Sequence, residues 1–365
     1  LFFHECSPSL PPSYARTMGG RPHCCGLGHP SLLVFGSGIL FSLQGASFKF
    51  VEPRGVGALE AIWVRGLIQL LGSTLVLLLR PHARETLAAA YPLKMWLLLR
   101  AVAGYGGIFG SFMALERLSL GDAAALLFVA PCISTLLAWL FLRERMSGQE
   151  LLGVLGAACG IVLIARPPAL FGDVGVPISV AGVNLALFGA TCAGLVVVLV
   201  RKLAQQLEWP VVLIAQAIGQ VVLSYPASVA LGRSWTIPTD ANVVLAMVGG
   251  GLCALGGQIA LTIGLKGTRV GPASALRTSN MLMSFILQVI VTPSEALHWL
   301  SVCGALIVAG SCVLVAIAKM HRSSTKALAS SDGAIKSLEP EQASSKLEGV
   351  SLQLMTLPSE HGATA

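Results

Sequence analysis

The chain has 365 residues, of which 55% are hydrophobic and 11% charged, with a formal net charge of +7. A soluble domain exposes about 25% charged residues, so this composition excludes an ordinary water-soluble protein and makes lipid the expected solvent. The basic residues stand singly or in small groups between apolar runs and form no continuous stripe, which argues against a nucleic-acid partner.

Residues 1–30 are rich in Pro, Gly, His and Cys and read as a disordered lead-in. No charged region precedes Leu1-Phe2-Phe3, so no well-formed signal peptide is expected. His23-Cys24-Cys25 with His29 has no standard zinc spacing and gives no expectation of a metal; Cys24 and Cys25 better suit palmitoylation ahead of the first span. Apolar segments then follow near 31–50, 59–79, 95–113, 123–142, 149–166, 180–200, 211–231, 242–264, 272–292 and 297–318. Each approaches the roughly 20 residues that cross the hydrocarbon as a helix. Helices are required because backbone groups in lipid must be satisfied within their own segment.

With both termini on the cytoplasmic side, fourteen Lys and Arg residues fall on inner flanks, from Arg16 to Lys326. Only Arg54, Arg117, Arg166 and Arg233 fall outside, a clear positive-inside bias. After Lys319 the chain turns polar, and residues 320–365 read as a disordered cytoplasmic tail.

The segment LERLSLGDAAAL at 115–126 repeats as LKGTRVGPASAL at 265–276, and the same offset carries Gly106-Gly107 onto Gly256-Gly257. Slipping by one residue sets Glu144 and Gly153 on Glu295 and Gly304. The expected fold is all-α integral membrane, with ten transmembrane helices as two inverted five-helix repeats, 31–167 and 180–319. An odd number of spans per repeat threads the halves in opposite senses, and such inverted repeats build transporters with a substrate site between the halves.

Residues 97–167 resemble the EamA repeat of the drug/metabolite transporter superfamily. The marks are the A-L-x-x-L-S-like turn, a small-residue helix ending in Pro131, the Leu-x-Glu at Leu142–Glu144 and a Gly-rich last helix. Arg65 in WVRGL sits where that family often places an arginine. The second repeat is recognisable in VGPASALRTSN and Glu295, but it lacks a proline matching Pro131 and reads TPSEALHW around the glutamate. RGLIQ and ARPPALFG look like the G branch of solute-carrier family 35. The resemblance implies a ten-span bundle with cytosolic termini that translocates a solute. The adjacent basic pair that marks many nucleotide-sugar and phosphate-sugar carriers in the ninth span is missing, and only Arg277 stands there.

An ionisable side chain inside a span usually faces a cavity or the bundle interior. Arg65 and Arg277 meet that description, and together they suit an organic anion, because guanidinium binds carboxylate or phosphate in a fork. Gln69, Gln258 and Asn280 are candidates to orient the substrate, with Ser279 and Gln288 as further polar groups, each equally suited to binding neighbouring helices. Lys49 and Arg100 sit at span ends, where snorkelling to headgroups accounts for them. Glu60 and Glu116 fall near the interfaces.

The expected function is a secondary carrier of a small polar metabolite, an anion by its arginines, with the bilayer and that solute as partners and no cofactor. The alternatives are a regulatory membrane protein that docks through its tail, or a membrane-embedded enzyme. The enzyme is disfavoured because only His298 of seven histidines lies near a span and no intramembrane Asp pair exists. No phosphate-binding loop of the G-x-x-x-x-G-K-[ST] type is present.

Overall fold

The computed structural model describes residues 30–80, 90–142, 146–167, 178–204, 206–236, 238–267, 278–293 and 298–336, with isolated positions between them. Among these residues there is no strand. The helices are α1 (Pro30–Val51), α2 (Ala58–Leu78), α3 (Lys94–Leu115), α4 (Leu120–Leu127), α5 (Ala130–Leu142), α6 (Gly148–Ala165), α7 (Val180–Ala204), α8 (Trp209–Ala230), α9 (Ala241–Gly267), α10 (Thr278–Val291) and α11 (Trp299–Lys336). Seven of them, α1, α2, α3, α6, α8, α9 and α11, are long and apolar enough to cross a membrane. Leu120–Leu136, Val180–Val196 and Ser279–Val291 are shorter apolar helical stretches. Large apolar side chains such as Leu71, Leu152, Leu245 and Ile290 are exposed on the outside, as suits a bundle that faces lipid.

Local chemistry sets the helix ends. Ser147 and Glu150 form a reciprocal capping box at the start of α6, and the Ser119 hydroxyl accepts from the Asp122 N–H at the start of α4. The helix expected over 123–142 is broken between Leu127 and Ala130. Pro131 has no N–H to continue the ladder, and its ring opposes the carbonyl four residues back. At the other end of the chain, α11 continues to Lys336, so residues 320–336 are helical where the composition suggested a disordered tail. Extending an existing helix needs no new nucleation, and Lys326-Ala327-Leu328-Ala329 are good helix formers. The lead-in with its Cys24–Cys25 pair, the far tail, Glu144 and Glu295 lie outside the described residues.

The extensive helix contacts run between the two halves of the chain. α1 packs on α9 and α10, α3 on α7 and α8, α2 on α8 and α9, and α6 on α11, while α4 and α5 meet α7 and α11. Two of these interfaces close to backbone distance because glycine has no side chain. A Cβ on Gly110 would fall 2.7 Å from the Gly189 Cα, and one on Gly304 would fall 2.8 Å from the Gly160 carbonyl oxygen. The Gly106-Gly107 and Gly256-Gly257 pairs face α7 and α1 respectively, so they serve as close-packing points.

One end of the bundle is tightly tied. Glu116 accepts both Arg233 Nη1 and Nη2, at 2.7 and 2.8 Å, and the Ala58 N–H at 2.7 Å. These bonds join the ends of α2 and α3 to the α8–α9 connection. The hydrogen bond from Arg233 to Glu116 is the main reason its guanidinium is held above its ordinary value. Close by, Arg166 donates to the Ser301 hydroxyl at 2.9 Å and stands 3.7 Å from Asp122. An apolar cluster containing Phe48, Leu59, Phe112, Leu118 and Leu126 lies under these ties. At the opposite end, the described ion pair is Arg80–Glu208, with both partners well exposed.

Candidate functional site

Between the halves lies a cavity of about 240 Å³. Its most unusual lining groups are two cations, Arg65 from α2 and Arg100 from α3, which are only 4% and 2% exposed. Both are held from α8. Arg65 Nη1 donates to the Gln220 side-chain oxygen at 2.9 Å, and Arg100 Nη2 donates to that of Gln216 at 2.5 Å. Gln216 and Gln220 are four residues apart, one helical turn, so a single face of α8 orients both guanidiniums. Gly66 and Gly104 make room for this network, since a Cβ at Gly104 would overlap the Arg100 guanidinium and one at Gly66 would press on Gln220.

Neither arginine has a carboxylate within ion-pair distance among the described residues. Arg65 Nε, Arg100 Nε and Arg100 Nη1 are buried without a hydrogen-bond partner. An uncompensated buried charge is costly, and a buried guanidinium with free N–H groups is a prepared receptor for an anionic oxygen.

The expected residues are distributed as follows. Arg65, Gln258 and Asn280 line the cavity. Asn280 is fixed by Ser42, whose hydroxyl lies 2.6 Å from its carbonyl and 2.8 Å from its side-chain oxygen. Gln69 is fully buried behind the wall, where it donates to the Leu213 carbonyl at 3.1 Å and accepts from Gln220 at 3.3 Å. It supports Arg65's partner and does not line the cavity. Arg277 lies outside the described residues. Ser279 donates to the Phe35 carbonyl at 3.0 Å, and Gln288 accepts the Gly121 N–H at 3.0 Å, so both join helices.

The cavity adds Arg100, Gln216, Gln44 and Ser284, which sequence reasoning did not place there. Arg100 was expected to snorkel; its side chain instead points inward to Gln216. A signal for α8 did exist. Gln216 and Gln220 repeat Arg65 and Gln69 at one offset, 216 − 65 = 220 − 69 = 151. Lys49 is also buried, with Glu52 at 3.4 Å, so it too does not snorkel. Glu60 accepts the Thr236 N–H at 3.2 Å near the tied end.

The cavity lining combines a cation face, Arg65 and Arg100 held from α8, with the neutral groups Gln44, Gln258, Asn280 and Ser284 and with apolar side chains such as Ile108, Leu127 and Leu261. This is the composition of a small-molecule site, with a few polar anchors on an apolar lining. No group of three or more metal-ligating side chains exists among the described residues.

Residues 30–166 match the EamA-like transporter family. That match is to an EamA-like transporter domain and covers less than half of the chain. Human solute carrier family 35 member G1 is 31% identical over 242 residues, 63% of this chain and 64% of its own. The chain thus spans less than two thirds of that relative's length. The mouse protein of the same name is 28% identical over 74% of each chain. A Saccharomyces cerevisiae protein named as a probable transport protein is 42% identical over 82 residues, 22% of this chain and 23% of its own. With its apolar helices and the EamA-like match, the chain is an integral, multi-pass membrane protein. Arg65, Arg100 and Phe112 fall within the matched domain, whereas Gln216, Gln258 and Asn280 follow it.

Proposed function

We propose that this protein is a secondary transporter of a small organic anion, working by alternating access between two inverted repeats. The observation that carries the reading is the pair of buried guanidiniums, Arg65 and Arg100, on one intramembrane cavity with no carboxylate beside them among the described residues. In lipid, two such charges are stabilised best by a ligand that supplies the missing negative charge. Bound from the cation face, the anion would turn its remaining polar groups toward Gln258 and Asn280. Arg277 remains a further candidate ligand.

The packing supports two repeats. The seven long helices and three shorter apolar stretches make ten crossings when α4 and α5 count as one. Exchange each helix of the first half with its counterpart in the second, and the contact pairs map onto themselves. α1 against α9 becomes α7 against α3, α2 against α9 becomes α8 against α3, and α2–α8 and α6–α11 map to themselves. A bundle that packs the same way under exchange has two equivalent arrangements, which is what inward- and outward-open states require. In this reading the termini are cytoplasmic and the Glu116 end faces away from the cytoplasm. That end is the closed one.

The test is uptake into proteoliposomes of labelled carboxylates, sugar phosphates, nucleotide-sugars and amino acids, with Arg65→Ala and Arg100→Ala alongside. Saturable uptake of an anion, reduced at least tenfold by either substitution while the folded protein is recovered normally, is expected. Uptake confined to neutral or cationic solutes and indifferent to both arginines would remove the anion reading.

A further inference from the structure

A second cavity, of about 20 Å³, lies between α1, α2 and α9 on the Glu116 side of the first. Gln44, Arg65 and Phe112 line both cavities, so these three side chains form the wall between them. Beyond the wall, the small cavity is bounded by Ser47, Val51, Ala61 and Met247, over a floor of Gly250 and Gly251. Its size suits about one water, and polar atoms from Gln44, Ser47 and Arg65 surround it.

The small cavity occupies a particular place in the repeat. An offset of 150 carries Arg100 onto Gly250. In the first half the arginine side chain fills the space beside α8 and bonds Gln216. In the second half the matching position has no side chain; it lies against Ser47 of α1, and the small cavity opens beside it. Beyond it the Ser47 hydroxyl donates to the Ala246 carbonyl and the Phe48 and Phe112 rings meet at 5.0 Å, with the Glu116 ties closing the end above them.

We propose that Arg65, with Gln44 and Phe112, gates a solute route from the central cavity to the Glu116 end through this smaller cavity, between α1, α2 and α9. This rests on the carrier reading. Arg65 is suited to the task because it is held by one neutral amide, Gln220, and its Nε is free. It can exchange that single bond for a place in the adjoining void without stranding a carboxylate. A group that both meets the anion and closes the route links occupancy of the central site to opening.

The experiment uses the full-length protein in lipid nanodiscs with one added thiol, Ala61→Cys, on the far side of the wall. Its reaction rate with a neutral methanethiosulfonate reagent is followed by peptide mass spectrometry. Adding Arg65→Ala, or separately Gln44→Ala, should raise the rate at position 61 at least tenfold. The control is Ala186→Cys, in the apolar cluster at the same end and away from both cavities; its rate should stay unchanged. An unchanged rate at position 61 in both variants overturns the gate, as does an equal rise at positions 61 and 186, which signals general loosening. Flat rates at position 61 alongside anion uptake by the wild-type protein leave the carrier standing without this gate. Absence of all uptake removes the carrier, while the rates at position 61 still decide whether the wall separates the two cavities.

Discussion

Arg100 reaches Gln216 across the α3–α8 interface, its Nη2 donating at 2.5 Å to the glutamine side-chain oxygen, and it does so through space that Gly104 leaves open. This contact turns a charge near a helix end into part of a buried site. It also ties the cation face of the cavity to the second half of the chain, which no reading of the first half alone supplies.

Gly104→Ala tests that contact directly. A Cβ there overlaps the Arg100 guanidinium and comes 3.1 Å from the Gln216 Cγ, so the arginine head must leave its partner. Anion uptake should fall at least tenfold, whereas circular dichroism should show the helical content retained. Wild-type uptake in this variant would show that the position of the Arg100 head is unimportant.

Gln220→Leu removes the acceptor of Arg65 and the donor to Gln69 at one stroke. A buried donor left unsatisfied costs about 1–3 kcal/mol, more for a charged group. The melting temperature in detergent should drop, and the loss should shrink when Arg65→Leu is added, because no guanidinium is then stranded. Losses of the two single variants that simply add in the double variant would mean that the pair is not coupled.

Glu116→Gln should weaken the closed end, since a neutral amide cannot give Arg233 the same bidentate partner. Arg233 is about a third exposed, so solvent screening keeps the effect to about 1 kcal/mol. The sign with pH follows from the raised Arg233 value. Its stabilisation is complete below the ordinary arginine value and is lost only as the pH climbs through the higher folded value. The wild-type minus Glu116→Gln difference in melting temperature should therefore be constant between neutral pH and mildly alkaline pH. A difference that fades over that interval would show that the guanidinium is not held as described.

Gly160→Leu addresses the α6–α11 contact, where a Cβ would lie 2.8 Å from the Gly304 carbonyl and 2.7 Å from Val308 Cγ2. Backbone cannot yield as a flexible side chain can, so the helices must separate, at about 1–3 kcal/mol for overpacking. Faster proteolysis and a lower melting temperature are the expected readouts. No change in either would mean the interface is looser than its geometry.

The sequence by itself determined the solvent of this protein and the positions of its helices. The bilayer imposes apolar runs of fixed length, so most helices from α1 to α9 begin and end close to where the residues alone place them; the exception is the span expected over 123–142, which starts at Leu120 and breaks ahead of Pro131 into α4 and α5. Arg65 was also legible, because a charge deep in an apolar run stands out wherever the chain goes. The tertiary structure decided which polar groups meet. Arg100 stands near the start of α3, where snorkelling and burial look alike along the chain, and only the rotation of α3 against α8 aims it at Gln216. The same register puts Gln69 behind the wall and Asn280 on it. Such choices depend on the relative turn and depth of helices more than a hundred residues apart, set by glycine contacts such as Gly110–Gly189 that carry no directional signal in the sequence.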